Sequence, residues 1–269
     1  MLQKTTFGII GSGKMSEAII SGLISKKLVH PKNITATGPR QERGTELEKK
    51  YNIATAQNNL IAATRDIIIL AVKPQVVNKI LNELKEKISK KAIIISIIAG
   101  ISLEKISTSL GCNQIVRSMP NTPGRINKGI TVWTCDKQIT RQKRRKIALL
   151  LSALGEEVFV EEEKYLDMAT ALSGSGPAYS FLFMEALVDA GVRIGLPRYL
   201  SEKLVIETVI GSGQYAKESK NHLAQLRNDV TSPAGTSAEA LYQLDKTGFR
   251  TAISEAVSAA HKRSLELGK

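Results

Sequence analysis

FGIIGSGKM (residues 7–15), followed by SEAIISGL (16–23), decides the fold. Phe7 to Ile10 is a short apolar run, Gly11-Ser12-Gly13 follows, and Met15 to Leu23 has helical spacing. In that context Gly11 permits a tight turn, and Gly13 lets backbone N–H groups approach a pyrophosphate at the helix start. The third small position of the fingerprint falls on Ser16 rather than Gly. The plain alternative is a glycine turn with no ligand. Gly8, Gly13 and Lys14 also match a magnesium–phosphate loop, but Met15 stands where a Ser or Thr must hold the metal, and Gly8 lies inside the strand. That reading is rejected.

Outward from this loop, β-rich runs alternate with amphipathic stretches up to about residue 160. The runs are TTFGII (5–10), ITAT (34–37), IIILAV (67–72), AIIISII (92–98), QIVRSM (114–119), ITVWT (130–134) and EEVFV (156–160). Several are apolar without alternation, as expected for strands covered on both faces. Strand and helix in alternation predict an α/β fold, a doubly wound parallel sheet of Rossmann type over residues 1–161. After about residue 162 the β signal disappears. Phe181, Met184, Leu187, Val188 and Val192 fall on one helical face, and so do Ile253, Val257, Ala260 and Leu265. Pro177, Pro197 and Pro233 each suit a first helical turn. Residues 162–269 are therefore expected to be all-helical.

The bulk composition bounds the partners. Of 269 residues, 42% are apolar, enough for one large core or two modest ones. Ala92 to Ile101 is too short to span a bilayer, and no export signal is legible. We expect a cytoplasmic protein that binds no membrane. Cys112 and Cys135 match no metal or redox spacing and read as reduced thiols; no metal is expected. The net charge of +13 raises nucleic acid as a partner. The charge is spread widely, aromatic residues are only 4%, and the basic run 137–146 is spaced as a solvated helix face. Nucleic acid is therefore not expected.

The end of the second strand chooses the cofactor. An NAD site usually has Asp or Glu there for the ribose hydroxyls. This chain has Thr37-Gly38-Pro39-Arg40, with Arg43 beyond. A hydroxyl and one or two guanidiniums suit a 2′-phosphate, so NADPH is expected to be preferred, with NADH as the second candidate; the plain alternative is that these are solvated residues at a helix start.

The chain resembles pyrroline-5-carboxylate reductase nearly end to end. The resemblance runs through FGIIGSGKM, AVKPQ (71–75), SIIAGIS (96–102), RSMPNTP (117–123), ALSGSGPAY (171–179) and LRNDVTSPAGTSAEAL (226–241). It implies a Rossmann domain, a helical domain that interleaves with a second subunit in a homodimer, and assembly of dimers into a larger ring such as a decamer. It implies reduction of 1-pyrroline-5-carboxylate to L-proline. It places cofactor contacts on Ile10, Gly11, Ser12, Gly13, Lys14 and Met15, on Asn58, on Ala71, Val72, Lys73 and Pro74, and on Ile97, Ile98 and Ala99. These lie at strand ends, where doubly wound sheets bind ligands. Lys73-Pro74 marks a strand end by itself, because a residue before proline is biased away from helix. Met119, Pro120 and Asn121 are expected to border the same pocket.

At the substrate end, Ser232 reads as an N-cap and Pro233 as the first helical residue. That leaves the N–H groups of Ala234, Gly235, Thr236 and Ser237 free, which is either an ordinary capped helix or an anion site. With the resemblance, it reads as the seat of the substrate carboxylate. Ser237, or a water it positions, is the candidate proton donor to the imine nitrogen, and Thr236 the second; proximity and orientation are expected to dominate catalysis. Glu218 matches a family acid and would help to hold the ring. The chain departs from the family pattern in three places. Ala234 replaces a usual Gly, Ser237 replaces Thr, and His222-Leu223 replaces His-Pro.

Ser173 to Pro177 is no nucleophile elbow, since it enters a helix rather than following a strand. It reads as a tight helix entry. Two other functions fit the architecture. A hydroxyacid or imine reductase would place a Lys on the helix from Pro177, and none occurs there before Lys203. A non-enzymatic dinucleotide sensor would make use of the basic run at 137–146.

Overall fold

The computed structural model describes residues 2 and 4–268. Compactness divides the chain into two units: the residues up to Ser175 together with those from Ala260 on, and Gly176–Ala259.

The first unit alternates strand and helix in the order β1 (Phe7–Ile10), α1 (Lys14–Ser25), β2 (Ile34–Thr37), α2 (Gln41–Tyr51), β3 (Ala54–Ala56), α3 (Asn59–Ala63), β4 (Ile67–Leu70), α4 (Val77–Leu84), β5 (Ile93–Ser96), α5 (Leu103–Leu110), β6 (Ile115–Met119), β7 (Gly129–Cys135), α6 (Arg141–Leu151) and β8 (Gly155–Phe159). The sheet order is β3-β2-β1-β4-β5-β6-β7-β8. The first six strands are parallel; β7 pairs antiparallel with β6, and β8 follows β7 in parallel. The strand order reverses between β1 and β4, where Ile10 lies beside both Thr37 and Leu70. In a doubly wound sheet this switch point is where the ligand crevice opens.

The sheet is covered on both faces, and this explains the continuous apolar runs. Ile9, Ile67 and Ile69 belong to one core with α1, while Ile10, Ile68 and Leu70 belong to another with α4 and α5. Two features depart from the expected sheet. The strand β3 was not foreseen, since Ala54-Thr55-Ala56 is short and only partly covered. The reversal of β7 was not foreseen either, because strand direction is set by the connection across Thr122–Ile126 rather than by composition.

The chain then runs through α7 (Lys164–Ala169), a π-helical turn (Thr170–Gly174) and α8 (Gly176–Arg193). The expected tight entry at Ser173 to Pro177 is thus an almost unbroken helix with one π turn, closed by Ser175 N–H on the Thr170 carbonyl at 2.8 Å. The helices α9 (Arg198–Glu218), α10 (Leu223–Asp229), α11 (Thr236–Lys246) and α12 (Phe249–Leu267) complete it. α12 leaves the second unit and ends in the first.

The second unit buries little of itself. Among its described residues only Val188, Ser201 and Leu226 are buried. Ser201 donates to the Val188 carbonyl at 2.9 Å, fastening α9 to α8. The apolar periodicity correctly marked helices, but the faces it marked are covered only in part: Val188 is buried, while Phe181 is 63% exposed and Ile253 44%. So much exposed apolar surface is the property of an interface rather than of a solvated domain. No described helix is long and apolar enough to cross a membrane.

Candidate active site

The glycine loop is built as its chemistry requires. Gly11 has φ +107°, and a Cβ there would lie 2.4 Å from the Ala71 carbonyl oxygen. Its N–H donates to the Thr37 carbonyl at 2.9 Å, so the loop is strapped across the β2 end. A Cβ on Gly13 would meet nothing within 4 Å. Gly13 is the N-cap of α1 and offers no side-chain cap, so the first N–H groups of α1 face an open space. This fits a dinucleotide pyrophosphate at a helix start.

Two cavities flank the loop. One, about 350 Å³, lies at the β2 end and is lined by Ser12, Ala36, Thr37, Gly38, Arg40, Gln41, Gly44, Thr45, Glu48, Thr55, Ala56 and Gln57. The other, about 390 Å³, lies across the switch point. It brings together Gly13, Lys14, Met15 and Ser16 with Ala71, Val72, Lys73 and Pro74, then Ile97, Ile98 and Ala99, then Met119, Pro120, Asn121, Thr122 and Gly174. The stretches 13–16, 71–74, 97–99 and 119–122 thus converge because β1, β4, β5 and β6 are neighbours, and Gly174 joins them from the π turn. Lys73 is extended (φ −71°, ψ 147°) and Pro74 opens a 3-10 turn, as the sequence predicts.

Several residues sit differently from their expected roles. The Ile10 side chain is fully buried in the core, so only its backbone is near the loop; its carbonyl accepts from Ala71 N at 2.8 Å. Thr37 borders the first cavity, but its hydroxyl is buried and donates to Asn59 Oδ1, which corrects its reading as a phosphate donor. Arg43 is also spent: it pairs with Glu17 and, at 2.7 Å, with Glu46, and its Nε donates to the Ser12 carbonyl at 3.2 Å. It holds the glycine loop from behind. Arg40 is exposed on the cavity rim and has no ion-pair partner among the described residues. Asn58 lines neither cavity and caps α3 through Leu60 N. Asn121 uses both ends of its amide on the protein, donating to the Ser173 carbonyl at 3.2 Å and accepting from Ile130 N at 3.0 Å. It therefore shapes the wall rather than offering a free side chain.

Gln41, Gly44, Thr45 and Glu48 were missed because α2 joins this cavity only through tertiary packing, and Thr55, Ala56 and Gln57 because β3 was missed. Thr122 and Gly174 were missed because they join the wall only through tertiary packing; a Cβ on Gly174 would lie 2.8 Å from Met119 Cε.

In the second unit the helix start differs from the predicted one. Gly235, not Ser232, is the N-cap, and α11 begins at Thr236. Pro233 belongs to a β-turn closed by Gly235 N–H on the Ser232 carbonyl at 3.0 Å. Ala234 occupies the third position of that turn with φ +58°, the place where glycine is favoured. The N–H of Gly235 is therefore spent, and the free donors are those of Thr236, Ser237 and Ala238. Ser237 is half-buried and Thr236 exposed. Glu218 ends α9 and accepts from Gln214 at 3.1 Å.

One family model, described as NADP oxidoreductase coenzyme F420-dependent, matches residues 6–100, and another, described as pyrroline-5-carboxylate reductase dimerisation, matches residues 163–267. Fold and site together define a dinucleotide-dependent oxidoreductase with a helical dimerisation region. The pyrroline-5-carboxylate reductase of Synechocystis is 42% identical over 97% of this chain and 98% of its own length, and that of Escherichia coli is 34% identical over 97% and 98%. The crystal structure of the Plasmodium falciparum pyrroline carboxylate reductase with NADP bound superposes with a TM-score of 0.91 at 32% identity, covering 99% of both chains. This chain belongs to the pyrroline-5-carboxylate reductase family.

Proposed function

We propose that the protein reduces 1-pyrroline-5-carboxylate to L-proline with NADPH, the last step of proline synthesis. The observation that carries this reading is the convergence of the glycine loop with Ala71–Pro74, Ile97–Ala99 and Met119–Pro120 around one cavity at the switch point. Residues 1–161 would hold the dinucleotide, with its 2′-phosphate facing Arg40 in the cavity at the β2 end. Residues 162–269 would bind the substrate and pair two subunits, and the exposed apolar face of the second unit supports a homodimer. A decamer built of dimers is the larger assembly we infer. Cys112 and Cys135 are buried and free of a disulfide among the described residues, in keeping with a reducing, cytoplasmic setting.

When bound, NADPH supplies the hydride that adds to the imine carbon. The free N–H groups at the start of α11 hold the substrate carboxylate, since Gly235 leaves them uncapped. Ser237, or a water it orients, delivers the proton to the ring nitrogen, with Thr236 as the second donor and Glu218 helping to hold the ring. A hydroxyl is a poor acid, so the imine that enters already protonated asks less of it. Mixing the purified protein with NADPH and 1-pyrroline-5-carboxylate tests the proposal: NADPH absorbance must fall and proline must appear. A protein that binds NADPH but forms no proline would be a dinucleotide sensor or a reductase of another substrate.

A further inference from the structure

Ile97, Ile98 and Ala99 form one wall of the switch-point cavity, and the chain turns directly behind them at Gly100 (φ +76°). That turn packs against the last turn of α12. A Cβ on Gly100 would lie 2.8 Å from both the Ser264 carbonyl oxygen and Gly268 N, and one on Gly268 would lie 2.3 Å from the Gly100 carbonyl oxygen. The two backbones meet with no side chain between them, a contact that only glycine allows on each side.

A buried ionic cluster ties the end of α12 in place. Ser264 is 2% exposed and donates to Asp167 Oδ1 at 2.8 Å. Arg117, buried on β6, donates to the two Asp167 oxygens at 2.8 and 3.3 Å and to Glu163 Oε1 at 3.0 Å. Glu163 Oε1 also accepts from Leu103 N, the first residue of α5, at 2.8 Å. Arg117 in turn lies beside Ser96 in the β5–β6 ladder. Residues 97–102 are therefore gripped at their start by the ladder, at their end by Glu163, and in the middle by α12. Removing one partner of a buried ion pair destabilises strongly, so the charged members are blunt probes. Ser264 and Gly268 are neutral and act on the same turn.

We propose that Ser264 and Gly268 are positioning residues for the dinucleotide. Neither lines the cavity. Acting through Gly100, the end of α12 sets where Ile97, Ile98 and Ala99 stand, and so how the nicotinamide half of the cofactor seats. The inference rests on the proposed function of this cavity.

The test uses the full chain as wild type, Gly268→Ala, Ser264→Ala and Ser264→Thr. NADPH Kd is read by fluorescence quenching, alongside KM for each substrate and Tm. Gly268→Ala should weaken NADPH about tenfold, since small displacements of a positioned group carry large penalties, with KM for the imine unchanged. Ser264→Ala should weaken NADPH several-fold, and Ser264→Thr, which keeps the hydroxyl, should restore it. A lowered Tm with wild-type NADPH affinity in both Gly268→Ala and Ser264→Ala makes the contact purely structural and overturns the inference. If Gly268→Ala does not fold, the Ser264 pair decides by the same reading. A wild-type protein that fails to bind NADPH overturns the proposed function as well, whatever the variants do.

Discussion

Thr37 donates its hydroxyl hydrogen to Asn59 Oδ1 at 2.8 Å, and Asn59 donates onward to Glu83 at 3.0 Å. The one hydroxyl at the end of β2 is thus used to join β2 to the region of α3 and α4. On the function proposed above, selection for the 2′-phosphate would then fall on Arg40.

Arg40→Ala should reduce the preference for NADPH over NADH by about tenfold to a hundredfold, the worth of a hydrogen bond to a charged group. Thr37→Val should leave that ratio unchanged while lowering Tm, because it strands Asn59. The ratio of kcat/KM for the two cofactors decides it; a ratio that moves with Thr37 and not with Arg40 reverses the assignment.

Glu17 is the hub of an ion-pair group between α1 and α2. Lys50 bonds it at 2.9 Å, and with Arg43 and the Tyr51 hydroxyl holds its pKa at about 2 against the partial burial that would raise it. The folded pKa lies below the unfolded value near 4.5, so the stabilisation is complete above that pH and is lost as pH falls towards 2. Glu17→Gln should therefore cost about 1 kcal/mol at neutral pH, and its difference from wild type should shrink as unfolding is followed from pH 6 to pH 2.5.

Ala234 carries a left-handed backbone at the turn before α11. Ala234→Gly should relieve up to about 1 kcal/mol and raise Tm by about 2–4 °C, measured at equal protein concentration. A fall in Tm would mean that the methyl group has a packing role that outweighs its strain.

Ser237→Ala should lower kcat roughly a hundredfold if its hydroxyl relays the proton, in the range typical of general acid–base groups. Ser237→Thr should retain the rate. A change confined to KM for the imine would restrict Ser237 to holding substrate.

Much of the fold was legible because doubly wound strands announce themselves. ITAT at 34–37 is β2 to the residue, and the run 67–72 exceeds β4 only by the two residues that enter the cavity. The short β3, with little apolar content, left no such signal. The start of α11 was placed too early because Ser-Pro resembles an N-cap and first turn; the same residues also make a β-turn, and here Gly235 provides the cap.

The sequence by itself determined the dinucleotide loop, the strand ends that line the switch-point cavity, and the change from α/β to helix near residue 160. These follow from local chemistry: glycine where the backbone must turn or come close, and apolar runs where strands are covered. Only the tertiary structure decided which polar groups remain free for a ligand. Arg43 meets Glu17 across 26 positions, Thr37 meets Asn59 across 22, and Ser264 meets Asp167 across 97. A side chain's chemistry is written at its own position, but its availability depends on the partners that packing brings to it.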